Sequence, residues 1–330
     1  MSATKKSAFQ KHGFTLALVG VLFFAAIYPN PGIEGGLMRS EWTTKIGVWV
    51  IFLLQGLSLP GKELARGYRP LRLQAFVLVW NYLFFPLVVL LGLFCFNSWL
   101  SPELALGFGL LSILPTTIAS AVAFTALAGG RVASAICATV FSNLLAVLIV
   151  PLWAALYLQA GDASPLPVLP LLGELTLLIV FPTFIGQALL ACLPGLAQFL
   201  AKSAKRVSAI IILFIVYCAF AESLASDQFS AFSLHEWTIL LFGSIGLLLL
   251  VSVLVWCSSA FLKLSYSERI AAFFCASQKS LATGLPLVTV ILAVCPESIS
   301  THTGVLLLPL IVFHPLQLVL ASIWAEKSLP

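Results

Sequence analysis

Charged residues are scarce in this sequence, and their scarcity excludes most classes of soluble protein. Asp, Glu, Lys and Arg together make up 9% of the 330 residues, whereas a soluble domain carries about 25%. Apolar residues make up 61%. No stretch is long and polar enough to form a separate soluble domain, so the composition predicts an all-α polytopic membrane protein.

Aspartate and catalytic motifs are lacking as well. The only aspartates are Asp162 and Asp227, which fall in loops between apolar runs. The sequence therefore disfavours a cation/proton antiporter that works through an aspartate at mid-membrane. It contains no Ser-His-Asp set, HExxH, Walker A loop or dinucleotide-binding GxGxxG, and we predict that the protein is not an enzyme. The 7 cysteines include no CxxC pair, which indicates neither a disulfide framework nor a cysteine metal site.

What the sequence does contain is a series of long apolar runs. A hydrocarbon core of about 30 Å is crossed by about 20 helical residues. On this basis we predict ten transmembrane helices, at residues 13–29, 44–60, 73–96, 103–128, 132–158, 169–193, 207–224, 236–262, 268–293 and 301–325. The first run follows lysines, as in a signal peptide, but no A-x-A cleavage site ends it and we interpret it as an uncleaved span.

The basic residues are distributed asymmetrically over this topology. Of 17 Lys and Arg, 14 fall on one side: Lys5, Lys6, Lys11, Lys62, Arg66, Arg69, Arg72, Arg131, Lys202, Lys205, Arg206, Lys263, Arg269 and Lys327. By the positive-inside rule both termini are then cytoplasmic, and we expect the plasma membrane, or the inner membrane in a bacterium. The net charge of +5 follows from this topology and does not indicate nucleic-acid binding.

The two halves of the chain show a matching interruption. Residues 1–160 and 161–330 each hold five predicted spans, and because five is odd the second half enters the membrane from the opposite side. Polar residues interrupt the fourth span at Pro115-Thr116-Thr117 and the ninth at 277–280. Matched interruptions of this kind mark the binding site of inverted-repeat transporters. Pro115 alone also fits a simple kink.

Interrupted helices offer binding groups of both signs. The half-helix that begins near Ile118 presents its positive N-terminal end, which suits an anion, while the freed carbonyl groups suit a cation. We predict substrate binding by Pro115, Thr116, Thr117, Asn143, Lys279, Ser280 and His314.

Lys279 is the deepest ionisable residue of the predicted spans. A lysine at the centre of a membrane helix costs about 2.5–3.5 kcal/mol on insertion scales, so it needs a cavity or a partner. It could hold a substrate anion, take the place of a cation, or carry a proton; the alternative is a lysine that reaches a cytoplasmic vestibule. For His314 the alternative to substrate binding is a hydrogen bond to a freed carbonyl group.

Several motifs resemble one known family. These are LPTTIAS at 114–120, AGG at 128–130, FSNLL at 141–145, SQKSLATGLP at 277–286 and PLIVFHPLQL at 309–318. Together they resemble the bile acid:sodium symporter superfamily, in the branch related to the seventh member of the human bile-acid carrier group. The resemblance covers nearly the whole chain. It implies two inverted five-helix repeats, with a panel domain of spans 1, 2, 6 and 7, a core domain of spans 3–5 and 8–10, and broken, crossing helices 4 and 9.

The resemblance also implies a sodium site beside the crossing. The matching positions are Asn81, Ser120, Thr139, Ser277 and Gln278. Three positions depart from the family pattern: Phe274 replaces a glutamate, Ala121 an asparagine, and Lys279 a second asparagine. The chain thus lacks one negative charge at this site and gains a positive charge.

The resulting prediction is a secondary active transporter that moves a small organic anion by alternating access. Its expected partners are this anion and the lipid bilayer. The sequence does not indicate an oligomeric state. The only cofactor expected is a sodium ion. The first version of the functional prediction is therefore a sodium-coupled symporter. The alternatives are a proton-coupled or uncoupled carrier with Lys279 in place of the cation, and a non-transporting membrane regulator that keeps the fold.

Overall fold

The structure is a computed structural model that describes residues 3–58, 67–159, 168–227, 232–293, 295 and 302–327. Lys62, Arg66 and Asp162 of the predicted topology lie outside these residues. Regular structure within them is helical, which confirms the all-α prediction for the described chain. The helices are α1 (Ala3–Ile27), α2 (Ser40–Leu57), α3 (Leu71–Phe96), α4 (Pro102–Ile113), α5 (Ile118–Leu127), α6 (Val132–Gln159), α7 (168–192), α8 (Pro194–Ala225), α9 (Leu234–Ser259), α10 (Tyr266–Ser277), α11 (Leu281–Ala293) and α12 (Thr303–Lys327).

Most of the predicted spans have a counterpart among the helices of the described chain. Seven segments of the described chain are long and apolar enough, with α10 and α11 as one segment, and the bent pair α4–α5 makes an eighth. These eight coincide with the predicted spans from 73–96 onward. α1 contains the apolar segment Leu16–Ile27, and the predicted spans 13–29 and 44–60 are not among the eight. The chain is therefore a multi-pass membrane protein, and the full count of ten stays a prediction.

The helices form two compact units. The first comprises the described residues of Met1–Ser58, Leu177–Ala231 and Glu297–Val305. The second comprises those of Leu59–Thr176, Phe232–Pro296 and Leu306–Pro330. All of the predicted substrate and cation residues belong to the second unit.

In the first unit, α2 packs against α7 through glycines. A methyl group at Gly56 would overlap the carbonyl oxygen of Thr183, and one at Gly186 would overlap the carbonyl oxygen of Leu53. The side-chain amide of Gln187 donates to the carbonyl of Gly56. Small residues allow this close approach of two helix backbones in a membrane. The contact therefore requires glycine, which has no side chain, at positions 56 and 186.

In the second unit, α10 and α11 form the buried centre. Within the most apolar stretch of Tyr266–Ala293, 89% of the residues are buried, against 22–61% in the other six candidate spans. α10 packs against α3, α5, α6 and α9. This segment therefore sits among helices of its own unit rather than facing lipid, which is the environment that its polar interruption requires.

The start of α10 is fixed by hydrogen bonds at its N-terminus. Ser265 and Glu268 form a capping box, which satisfies N–H groups that the first helical turn leaves without partners. Glu268 also forms an ion pair with Arg131 at 2.7 Å. The backbone N–H of Arg131 donates to the carbonyl oxygen of Ser267 at 2.9 Å. The segment that precedes α6 is thereby tied to the start of α10.

A π-helical turn at Trp80–Phe84 interrupts the regular hydrogen bonding of α3. The N–H of Phe85 donates to the carbonyl of Trp80, five residues earlier. The next residue is Pro86, which has no N–H. The carbonyl of Asn81 therefore has no helical donor, because the N–H of Phe85 bonds to Trp80 and Pro86 has no N–H. A second π-helical turn, Thr176–Val180 in α7, also precedes a Phe-Pro pair.

We expect Gly186→Ala to destabilise the protein, because its methyl group would overlap the Leu53 carbonyl. Overpacking of this kind costs roughly 1–3 kcal/mol. The matched control is Gly246→Ala in α9, where a methyl group meets no described atom within 4 Å. Thermal unfolding of the purified protein in detergent measures both, and equal stability of the two variants would contradict the packing described for α2 and α7.

Candidate functional site

Both predicted interruptions are present in the structure. α4 ends at Ile113 and α5 begins at Ile118, with the residues between them extended and a bend of 60°. α10 ends at Ser277 and α11 begins at Leu281. Pro115 explains the first interruption because it removes a backbone donor and clashes with a helical turn. The second contains no proline and depends on polar side chains instead.

The two interruptions contact each other directly. The backbone N–H of Ser280 donates to the carbonyl oxygen of Pro115 at 2.8 Å. The hydroxyl of Ser120 donates to the side-chain oxygen of Gln278 at 2.9 Å. Residues from two distant parts of the sequence therefore form one polar region inside the second unit.

Lys279 lies at the centre of this region and is 0% exposed. Its Nζ donates to the carbonyl oxygen of Leu114 at 2.8 Å and to that of Asn81 at 3.1 Å. It also lies 4.2 Å from the centroid of the Phe85 ring. The described residues place no carboxylate within ion-pair distance of this nitrogen. Both carbonyl groups are outside regular helical bonding, one in the extended segment after α4 and the other in the π-helical turn of α3.

The backbone of Lys279 is held by α12. The side-chain amide of Gln317 accepts from the Lys279 N–H at 2.8 Å and donates to the Lys279 carbonyl at 2.7 Å. This pairing fixes which end of the amide is the nitrogen. Because that nitrogen lies 2.9 Å from Nδ1 of His314, its second hydrogen can go to Nδ1, which places the imidazole proton on Nε2.

His314 accepts from Gln317 through Nδ1, so this nitrogen has no proton to donate to the Lys279 carbonyl, and contact of His314 with the substrate stays a prediction. Its Nδ1 lies 3.4 Å from the carbonyl oxygen of Lys279 and next to Gln317. Gln317 is not among the predicted site residues, although it makes both backbone hydrogen bonds to Lys279. In the sequence, Gln317 lies in the run 309–318, three residues after His314. This spacing places it on the same helix face as His314 and could have indicated a role in the site.

The first interruption is held by α6 and α3. The amide of Asn143 donates to the carbonyl oxygens of Thr116 at 2.9 Å and Thr139 at 2.8 Å. The hydroxyl oxygen of Ser142 accepts from the Thr116 N–H at 3.2 Å and from the Asn81 amide at 3.4 Å. Ser142 is a further residue that is absent from the predicted set, since its neighbours only become adjacent in the fold.

The predicted cation residues are brought together only in part. Ser120 and Gln278 form the one side-chain hydrogen bond recorded among the five in the described structure. The hydroxyls of Thr139 and Ser277 each donate to a carbonyl of their own helix, at 2.9 and 2.7 Å. Asn81 donates to Ser142 and to a carbonyl of α10. The hydroxyl oxygens of Thr139 and Ser277 still have lone pairs that can accept a hydrogen bond or bind a cation.

Two of the predicted substrate residues lie at the starts of half-helices. Thr117 precedes α5, and its side chain makes no capping hydrogen bond. Ser280 precedes α11, and its hydroxyl accepts from the N–H of Thr283 at 3.1 Å. The N-terminal end of α5 is thus the less completely capped of the two, which leaves its N–H groups available to a ligand.

Buried polar atoms without a partner are concentrated at this site. Five buried side-chain atoms make no hydrogen bond among the described residues, and four of them are Asn81 Oδ1, Thr116 Oγ1, Asn143 Oδ1 and Gln278 Nε2. Each unsatisfied buried group costs about 1–3 kcal/mol. Amide and hydroxyl oxygens are ligands that a hard cation such as sodium accepts, and they also accept hydrogen bonds from an organic ligand. The arrangement fits a binding site.

The three departures from the family pattern are all buried. Phe274 stands where the resemblance implies a glutamate, and its ring packs on Phe124 and Phe273 at centroid distances of 5.8 and 5.2 Å. Ala121 is 0% exposed. An aromatic contact therefore occupies the position of the carboxylate, and the neighbouring departure, Lys279, places an amino group in this part of the described structure.

Comparison with known proteins identifies the family. Residues 12–328 match the SBF-like CPA transporter family. An uncharacterized protein of Pseudomonas aeruginosa is 32% identical over 325 residues, which cover 97% of this chain and 93% of that protein. Sodium/bile acid cotransporter 7 of Danio rerio is 28% identical, over 95% of this chain and 92% of that protein. Sodium/bile acid cotransporter 7-A of Xenopus laevis is 27% identical, over 95% and 90%. The match extends through both interruptions and nearly from end to end, and the chain belongs to the SBF-like CPA transporter family, a family of membrane transporters related to the bile acid:sodium symporters.

Proposed function

We propose that this transporter is a secondary active carrier that moves a small organic anion across the membrane by alternating access. The observation that carries the proposal is a group of four buried polar atoms, where the two interruptions meet, that have no partner among the described residues. A protein without a ligand gains nothing from burying such atoms. A carrier gains a polar site in an otherwise apolar unit.

Two features favour an anion as substrate. The N-terminal end of α5 carries the positive end of a helix dipole next to Thr117, whose side chain makes no capping bond. Lys279 adds a buried amino group for which the described residues supply no carboxylate. Two of the relatives are named sodium/bile acid cotransporters, and a bile acid is an organic anion. We assign contact with the substrate to Thr116, Thr117, Asn143 and Ser280 beside Pro115.

Sodium is the coupling ion in the first version of the proposal. Gln278 and Ser120 are already paired, and the side-chain oxygen of Asn81 has no partner among the described residues. Thr139 and Ser277 supply further hydroxyl oxygens. These neutral oxygens fit a monovalent hard cation, although the carboxylate expected from the resemblance is replaced by Phe274.

The second version is a proton-coupled or uncoupled carrier with Lys279 in place of the cation. It is favoured by a specific observation, the hydrogen bonds from Nζ to two carbonyl oxygens. In both versions we assign the role of core domain to the second compact unit, which contains the site, and that of panel domain to the first. The inverted repeat, cytoplasmic termini and a plasma-membrane location belong to the same proposal.

We expect Thr116→Val to separate transport from stability. The buried Thr116 hydroxyl has no partner among the described residues, so its loss should leave the melting temperature unchanged or raised. Uptake should fall about tenfold if that hydroxyl contributes about 1.4 kcal/mol to binding. Uptake and counterflow in proteoliposomes with labelled taurocholate, lactate and succinate measure the effect.

The matched control for this experiment is Thr125→Val. Thr125 is equally buried, but its hydroxyl donates to the Ala121 carbonyl at 2.7 Å, so we expect a loss of stability with unchanged uptake. Saturation and counterflow with at least one probe would support a carrier, whereas conduction without counterflow indicates a channel. Absence of all transport would contradict the proposal and favour a membrane regulator.

We expect sodium to stabilise the folded protein if it binds at Gln278 and Ser120. A ligand at 100 times its Kd stabilises by about 2.7 kcal/mol. The measurement is the melting temperature in detergent with sodium, potassium or choline at fixed ionic strength. The sodium-specific rise should vanish in Gln278→Ala and persist in Ser244→Ala, whose buried hydroxyl bonds only within its own helix, to the Leu240 carbonyl. No sodium-specific rise in the natural protein would contradict sodium coupling.

A further inference from the structure

We propose that the Lys279 side chain is a tethered cation, which fills a cation-binding position formed by the Leu114 and Asn81 carbonyl oxygens and the Phe85 ring. The inference deepens the proposed function, because it concerns what the same pair of interruptions binds. Its test does not depend on transport, so the two can fail separately.

The position has the construction of a cation site. Asn81 and Leu114 each present a carbonyl oxygen that has left regular helical bonding, at 3.1 and 2.8 Å from Nζ. Freed carbonyl groups at the breaks of transporter helices are the groups that coordinate monovalent cations. The Phe85 ring closes the remaining side at 4.2 Å, and the face of an aromatic ring attracts positive charge.

The three contacts match an ammonium group better than a neutral amine. A carbonyl oxygen and a ring face can only accept, and an ammonium group only donates. A neutral amine has a lone pair that needs a donor, and none of the recorded contacts of Nζ is a donor. All three surrounding groups therefore attract a positive charge, which compensates for the absence of a carboxylate among the described neighbours.

The sequence builds this position from separate local causes. Pro86 and the π-helical turn free the carbonyl of Asn81, while the extended segment at Pro115 frees that of Leu114. Gln317 then holds the backbone of Lys279 by its N–H and carbonyl groups and so aims the side chain. Gln317 is a positioning residue, and Lys279 carries the charge.

A tethered cation changes what the carrier must bind. The positive charge beside the interruptions then belongs to the chain itself and does not depend on the ion concentration in solution. Position 279 therefore decides whether this part of the site needs a free cation. If a sodium ion binds as well, it binds elsewhere, at the Ser120–Gln278 pair.

The test is chemical rescue of Lys279→Ala. This substitution removes three methylene groups and the ammonium, which together equal n-propylammonium. We expect a lower melting temperature in detergent, and recovery of at least half of the loss when n-propylammonium chloride is added at fixed ionic strength. The matched neutral compound, n-propanol, should restore little, and Lys279→Met should gain nothing from either compound because methionine fills the space.

A second measurement keeps the proposal testable if Lys279→Ala does not fold. Phe85→Leu should lower the melting temperature more in the natural protein than in a Lys279→Met background, because only the natural protein has a cation–π attraction to lose. The control is Phe94→Leu, because Phe94 lies on the same helix and is 82% exposed. It should change the melting temperature by the same amount in both backgrounds. Equal rescue by n-propanol, or additive effects of Phe85→Leu and Lys279→Met, would overturn the proposal.

Discussion

Backbone carbonyl groups buried in a membrane protein need donors, and in this chain one lysine meets that need for two helices at once. The break at Pro115 and the π-helical turn before Pro86 each free a carbonyl, and Nζ of Lys279 donates to both. In return the two oxygens and the Phe85 ring stabilise a charge that hydrocarbon would reject. Each partner satisfies the other, so α3, the first interruption and the second interruption depend on one another.

The same dependence explains why the site combines rigid and unsatisfied parts. The amide of Gln317 pairs with both backbone groups of Lys279, and α6 holds the first interruption through Asn143 and Ser142. These bonds fix the extended backbone in place. Against this fixed frame, three side-chain oxygens have no partner in the part of the chain that the structure describes. Fixed geometry with free binding capacity is what a site for a small polar ligand requires.

Sequence reasoning could predict the features that have local causes. Apolar runs predict the eight candidate spans, and Pro115 and the polar cluster around Gln278 predict the two interruptions, because each effect acts within a few residues. The partner of a polar residue is set by tertiary packing instead. The sequence alone therefore does not identify Gln317 and Ser142 as the partners of Lys279 and Thr116.

The separation of these partners along the chain has a consequence for biogenesis. The hydrogen bond between Lys279 and Leu114 joins residues 165 positions apart. At 5–20 residues per second, translation of that interval takes roughly 8–33 s. During this time the first interruption is already made while the lysine that completes it does not exist. Its carbonyl groups have to stay in contact with water or the insertion machinery, so the first part of the chain reaches its final state only after the ninth predicted span has been synthesised.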